Sequence, residues 1–191
     1  MELVFASSNE HKVTEVRAII DDQIILKSLN DIGCLIDIPE TGNTFAENAG
    51  QKSSYVHKNY GADCFADDSG LEIDALNGEP GVYSARYSGT RDSEKNMQLV
   101  LDRMAGQSNR SARFKTLISL ILDGEEHIFE GIIEGSILSQ RSGTKGFGYD
   151  PIFKPDGYEI SFAEMDPAEK NKISHRAIAM QKLIHFLKTR L

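Results

Sequence analysis

Short apolar runs alternate with amphipathic stretches along the whole chain. Residues Glu2 to Ala6 form a compact apolar run that predicts a buried strand. After the polar turn Ser7-Ser8-Asn9, Val13, Val16, Ile19 and Ile20 recur at helical spacing, so the opening unit reads strand, polar loop, helix. Ile24 to Leu29 predicts a second strand. Thr44-Phe45-Ala46-Glu47 fits a capping box, in which the two polar side chains satisfy each other's backbone donors, and a helix is expected from about Phe45 to Tyr60. Cys64 to Asp67 reads as a strand leading into a loop, Asp68-Ser69-Gly70.

Asp92 is placed to cap a helix carrying Met97, Val100, Leu101 and Met104. From Ala112 the texture changes. Two β-rich runs, Phe114 to Leu122 and His127 to Ile133, flank Asp123-Gly124, a strong hairpin signal. Glycine then clusters at Gly143, Gly146 and Gly148. Ser174 can cap a last helix whose Ile178, Leu183, Ile184 and Leu187 line one face. The order of elements predicts an α/β protein with a mixed sheet and helices packed against it. No repeat or linker interrupts the pattern, so residues 1–191 are expected to form a single domain, in which two lobes sharing one sheet are possible.

Composition narrows the function classes. Twenty-one Lys and Arg against 29 Asp and Glu give a net charge of -8. The basic residues are scattered rather than gathered into a stripe, which argues against nucleic acid and anionic membrane as partners. Small anionic ligands stay possible, because a few focused cations can override the global field. No apolar run approaches the roughly 18 residues of a membrane helix, and the first residues do not read as a signal peptide. Cys34 and Cys64 form no metal-ligand pattern and read as free thiols of a cytoplasmic protein.

Four segments carry more polar chemistry than folding requires. Ser7-Ser8-Asn9-Glu10-His11-Lys12 lies between a strand and a helix start, where free backbone N–H groups and the helix dipole suit an anion and Lys12 can reach back to a phosphate; an ordinary polar turn would look the same. Asp67 and Asp68 are adjacent acids ending an apolar strand. They are either a solvated turn or hard oxygen ligands for Mg²⁺ and a base for water, with Glu40 a possible further ligand. The glycines of Gly143-Thr144-Lys145-Gly146-Phe147-Gly148-Tyr149-Asp150-Pro151 would let a flat ligand approach and stack on Phe147, or simply form a tight turn with Phe147 in the core. Lys170 and Ser174-His175-Arg176 offer donors at a helix start, for a purine oxygen, for a phosphate, or for solvent.

The order of the motifs adds what no single segment does. Ser7-x-Asn9-x-x-Lys12, Glu40-Thr41-Gly42-x-Thr44-Phe45-x-Glu47-Asn48-Ala49, Ala66-Asp67-Asp68-Ser69-Gly70-Leu71, Pro80-Gly81-Val82-Tyr83-Ser84-Ala85-Arg86, Gly146-Phe147-Gly148-Tyr149-Asp150-Pro151 and Ile173-Ser174-His175-Arg176 together resemble the inosine triphosphate pyrophosphatase (Ham1-like) family over nearly the whole chain. Two departures stand out: Ser8 and Lys145 occupy positions where glycine is frequent in that family.

The resemblance implies an α/β fold of two lobes around a long central mixed sheet, a nucleotide cleft between the lobes, and a homodimer. It implies hydrolysis of ITP, dITP and XTP to monophosphate and pyrophosphate with Mg²⁺. Carried over residue by residue, Ser7, Ser8, Asn9, Glu10, His11, Lys12 and Lys52 would hold the triphosphate. Asp68 would act as general base and metal ligand, with Asp67 beside it and Glu40 as a further ligand. Ser69 would touch the substrate, and Phe147, Gly148, Tyr149, Asp150, Lys170, His175 and Arg176 would form the base pocket. Donors from His175, Arg176 or nearby backbone would then reject adenine, a mismatch worth roughly 10⁴-fold or more. Two other readings compete: a pyrophosphatase of ordinary nucleoside triphosphates, and a non-catalytic nucleotide-binding regulator.

Overall fold

The computed structural model describes residues 1–190. Six strands form one sheet in the order β2-β1-β3-β4-β5-β6. Strands β1 (Glu2–Phe5), β2 (Ile25–Lys27) and β3 (Cys64–Ile73) run parallel, while β5 (Glu125–Ile137) and β6 (Phe153–Pro155) are antiparallel, so the expected mixed α/β sheet is present. Strand β4 is Ser111–Leu122, and the helices are α1 (Glu10–Arg17), α2 (Phe45–Tyr60), α3 (Ser93–Arg103), α4 (Pro167–Ile173) and α5 (His175–Lys188). Among the described residues no helix is long and apolar enough to cross a membrane.

The chain divides into two compact units. The first comprises Met1–Asp68, Thr116–Gly131 and the residues from Arg176 onward; the second comprises Ser69–Lys115 and Ile132–His175. In the first unit the period of two along each strand separates two cores. Leu3, Phe5 and Phe65 point to one face, where Val13 and Val16 of α1 and Met180, Leu183 and Leu187 of α5 cover them. Val4, Ala6, Cys64 and Ala66 point to the other, against Val56 of α2. A parallel sheet covered on both faces needs apolar residues at successive positions, which is why β1 reads as an unbroken apolar run. The second unit packs Leu71, Ile73, Met97, Val100 and Met104 around Phe114, Phe153 and Phe162, with Phe114 and Phe153 ring centroids 4.6 Å apart.

The local signals are realised closely. Thr44 Oγ1 accepts from the Glu47 N–H at 3.2 Å and Glu47 Oε2 accepts from the Thr44 N–H at 3.1 Å, completing the capping box of α2. Asp123 and Gly124 both take positive φ, 52° and 82°, as a tight hairpin between β4 and β5 requires. Asp92 caps α3.

Four expectations need correction. The expected loop Asp68-Ser69-Gly70 is strand: β3 runs through it to Ile73, beside β4 in the sheet and with all but Ser69 and Glu72 of its residues buried, while β1 pairs with its start at Cys64 and Phe65. The strand expected from Ile24 to Leu29 is only Ile25–Lys27, at the sheet edge where one neighbour supports it. Helix α1 ends at Arg17, and Ile19 and Ile20 pack on the core from beyond it. In α5 the buried stripe is Ala179, Met180, Leu183 and Leu187, with Ile184 packed against it. Ile178 instead lines a shallow surface groove with Phe129 and Phe186.

Candidate active site

In the first unit the polar residues converge on the centre of β3. Successive strand residues face opposite ways, so Asp67 shares the Phe65 face, toward α1 and α5, and Asp68 shares the Ala66 face, toward α2. The hydrogen bonds follow this division. Asp67 Oδ1 accepts from Lys12 Nζ at 3.0 Å and Asp67 Oδ2 from Arg176 Nε at 3.1 Å. Asp68 Oδ2 accepts from Asn48 Nδ2 at 2.9 Å.

Lys52, one helical turn after Asn48 on the buried face of α2, donates to the Asp67 carbonyl at 2.7 Å and to Glu40. Asn48 also ties down the loop before α2, accepting from the Gly42 N–H at 2.8 Å. Glycine is required there, since a Cβ at position 42 would lie 2.5 Å from the Glu47 Cβ.

The electrostatics separate the two acids. Burial pushes the Asp67 carboxyl up, but Lys12, Arg176 and Lys52 outweigh it and hold Asp67 well below the usual carboxylate range. Asp68 goes the other way. Burial raises it, Lys52, Lys12 and the Asn48 hydrogen bond only partly offset that, and the charge of Glu40 raises it further. Burial also lowers the Lys12 ammonium, against the pull of Asp67. Asp67 is thus locked as an anion among cations, whereas Asp68 is the carboxylate better able to accept a proton.

The loop before α1 differs from expectation in one respect. The Asn9 side chain caps the helix, accepting from the His11 and Lys12 N–H groups at 3.0 and 3.3 Å, so these two donors are already taken. Ser7 is buried and accepts from the Asn9 N–H at 3.3 Å; Ser8, Glu10 and His11 are exposed. Ser69 follows Asp68 on β3 and is half-buried.

The second unit holds the other group. Asp150 Oδ2 accepts from the Phe147 N–H at 2.8 Å and from Lys170 Nζ at 2.7 Å. Lys170 is buried, 4.9 Å from the ring centroid of half-buried Phe147. Gly146 has φ 74° and its Cβ would lie 2.0 Å from Asp150 Oδ2, so no other residue fits beside this carboxylate. Gly148, also at positive φ, has open space where a Cβ would be. The Tyr149 hydroxyl donates to the Ser84 carbonyl at 2.7 Å and is itself raised by burial. His175 is buried with its ring stacked on Phe114 at 4.7 Å. Lys145 is exposed.

A sequence profile described as the Ham1 family matches residues 3–186. The chain belongs to the Ham1 family. The dITP/XTP pyrophosphatase of Christiangramia forsetii is 53% identical over 188 residues, spanning 98% of this chain and 99% of that one. The protein of the same name from Flavobacterium johnsoniae is 51% identical, spanning 98% of both. Among solved structures, the Staphylococcus aureus Ham1 protein superposes with a TM-score of 0.92 at 37% identity over 100% of both chains. The resemblance carried by the six motifs therefore holds across the chain.

Set in the Ham1 family, the structure adds two residues to which the motifs assigned no role. Asn48 stands inside the second motif, and its signal is an uncharged polar residue four before Lys52 on the buried face of an amphipathic helix. Glu15 bonds Arg176 from the middle of α1, and no local pattern marks it.

Proposed function

We infer that the chain is a nucleoside-triphosphate pyrophosphatase that hydrolyses deaminated purine nucleoside triphosphates, dITP and XTP with ITP, to the monophosphate and pyrophosphate. The names and full-length similarity of its relatives support this reading. The observation that carries the chemistry is Asp68: a buried carboxylate, raised by its burial, oriented by Asn48 and flanked by the charges of Lys12 and Lys52.

Asp68 takes a proton from water as the water oxygen bonds to the α-phosphorus. The α–β anhydride bond breaks, and its bridging oxygen leaves with pyrophosphate. Lys12 and Lys52 meet the charge that grows on the leaving group. Fixed cations in a partly dried site stabilise that charge better than water does, because they need not reorganise.

A divalent cation fits this donor set. Among the described residues no three His, Cys, Asp or Glu side chains cluster as a self-sufficient metal site. Mg²⁺ needs only one or two carboxylates when substrate phosphate and water complete its shell. Asp68 and Glu40 are the two, near enough that the charge of Glu40 raises Asp68. Bound there, Mg²⁺ would neutralise phosphate charge and polarise the phosphoryl oxygens.

The base belongs to the second unit's group: Phe147 stacks on the purine, while Gly148, Tyr149, Asp150, Lys170 and His175 line its edge. Ser69 and the Ser7 to His11 loop contact the sugar-phosphate side. The enzyme works in the cytoplasm as a homodimer. The test is pyrophosphate release from ITP, XTP, dITP, GTP, ATP and CTP, each with Mg²⁺ and with EDTA. Metal-dependent release confined to the first three is expected. Indiscriminate release would overturn the base pocket, and binding of ITP without release would overturn the catalytic reading.

A further inference from the structure

The motif Pro80-Gly81-Val82-Tyr83-Ser84-Ala85-Arg86 has no part in the chemistry above, yet its centre is a junction of hydrogen bonds. Ser84 is buried in the second unit, within the short 3-10 helix Gly81–Arg86. Its Oγ accepts from the Leu71 N–H of β3 at 2.9 Å and donates to the Gly81 carbonyl at 2.6 Å. Its carbonyl accepts from the Tyr149 hydroxyl at 2.7 Å, 65 residues along the chain. The segment before it is also tied to β3: the Ile73 N–H donates to the Glu79 carbonyl at 3.2 Å, and Glu72 and Pro80 form an antiparallel bridge.

One end of this path is therefore Leu71, two residues after Ser69 on β3. The other is Tyr149, two residues after Phe147. Tyr149 is buried, and burial raises its hydroxyl, so the proton it donates stays in place. Gly146 and Gly148 on either side of Phe147 have φ of 74° and 61°. Glycine restricts its own backbone less than any other residue, so the Phe147 ring must be placed by ties from its neighbours. Asp150 supplies one by accepting the Phe147 N–H, and the Tyr149 hydroxyl supplies a second.

We propose that Ser84 and the Tyr149 hydroxyl form a brace that fixes the distance from Ser69 to the Phe147 ring, and so gauges the base pocket for a two-ring base. Both are positioning residues, and they select for the size of the base rather than for its group at C6. The proposal rests on the reading of Phe147 as the ring that stacks on the base and of Ser69 as a contact on the sugar-phosphate side. A purine is joined to its sugar through the five-membered ring, so its six-membered ring lies further from the sugar than a pyrimidine reaches. When the distance is held, a pyrimidine leaves a gap at the stacking ring, and dispersion contact falls away steeply across a gap. When the brace is slack, the loop can settle on the smaller base. The Tyr149 hydroxyl is bonded to the Ser84 carbonyl, and it acts by holding the loop rather than by donating to the base.

The deciding experiment compares Tyr149→Phe, Ser84→Ala, their double variant and Phe147→Ala with the wild-type enzyme. Its readouts are KM and kcat for ITP, the inhibition constants of ATP and CTP against ITP, and Tm. Tyr149→Phe removes one oxygen and keeps the ring that fills the site. KM for ITP and the ATP constant should rise together by about three- to tenfold, the scale of one net hydrogen bond, while kcat changes little. The CTP constant should stay level or fall. Ser84→Ala should act in the same direction, and should add less in the Tyr149→Phe background than alone, because both act through one link.

An equal rise for ITP, ATP and CTP would overturn the proposal in favour of a general structural role, and no change in any of them would overturn it outright. A rise for ITP without one for ATP would show that the hydroxyl serves recognition at C6 instead. If Phe147→Ala leaves KM for ITP and the ATP constant unchanged, the stacking reading itself fails and the brace falls with it. Should Ser84→Ala lower the Tm below the assay temperature, Tyr149→Phe alone carries the comparison between the two-ring and one-ring nucleotides.

Discussion

Asn48 donates from Nδ2 to Asp68 Oδ2 at 2.9 Å while its own Oδ1 takes the Gly42 N–H at 2.8 Å. One carboxamide therefore sets both the orientation of Asp68 and the path of the chain entering α2. Asn48→Ala removes the donor and leaves a gap beside a buried carboxylate. The expected result is a fall in kcat of about 10- to 100-fold, the usual range for loss of an orienting partner, with a smaller change in KM. Steady-state kinetics on ITP checks it.

Asp68→Asn keeps the shape of the side chain and removes its basicity. Turnover should fall by about 10³-fold or more, toward the upper range for a general base. The fold should survive, because burial already disfavours the charge at this position. Thermal melting separates the two effects. A variant with most of the wild-type rate and a normal Tm would remove Asp68 from the mechanism.

Lys170 and Asp150 are a buried pair 2.7 Å apart. Lys170→Ala leaves the Asp150 carboxylate with the Phe147 N–H but without its counter-charge, and should cost about 3–5 kcal/mol of stability. Gly146→Ala acts on the same carboxylate by steric means, and should raise KM for ITP while leaving the first unit's chemistry intact. Denaturant unfolding and substrate titration test the two in turn.

Cys64 gives the chain an alkaline limit. Its thiol is buried, donates to the Ser53 carbonyl at 3.2 Å, and is pushed up to about 12, chiefly by burial. In the unfolded chain the thiol ionises near its ordinary value of 9.0. Above that pH the unfolded state has lost a proton that the folded state keeps, so stability falls as pH rises. The slope reaches about 1.4 kcal/mol per pH unit and ends near pH 12, where the folded thiol ionises too. Cys64→Ala should flatten this part of the stability curve. The difference between the two proteins, followed by melting from pH 8 to 11, isolates it from the tyrosines whose hydroxyls are also raised.

The sequence by itself determined the α/β plan, the capping box at Thr44 and Glu47, the Asp92 cap and the Asp123-Gly124 turn. Each rests on hydrogen bonds or backbone angles within a few residues, and their chemistry is complete in the local chain. It also brought Asp67 and Asp68 to attention, since adjacent acids closing an apolar strand have little use in folding alone, and Lys12 by its place at a helix start; Lys52 came only with the family resemblance. What only the tertiary structure decided is where those charges point. Asp68-Ser69-Gly70 has the composition of a turn, and is strand because β3 continues through it as the neighbour of β4 in a buried sheet. Asp67 and Asp68 are indistinguishable as letters, and packing of α1 and α5 on one face of β3 and α2 on the other gives one the cations Lys12 and Arg176 and the other the Asn48 amide. Arg176 meets Asp67 across 109 residues and Glu15 across 161. A partner at that separation is chosen by which helix faces are buried against the sheet, a property of the packed whole that no short window of sequence contains.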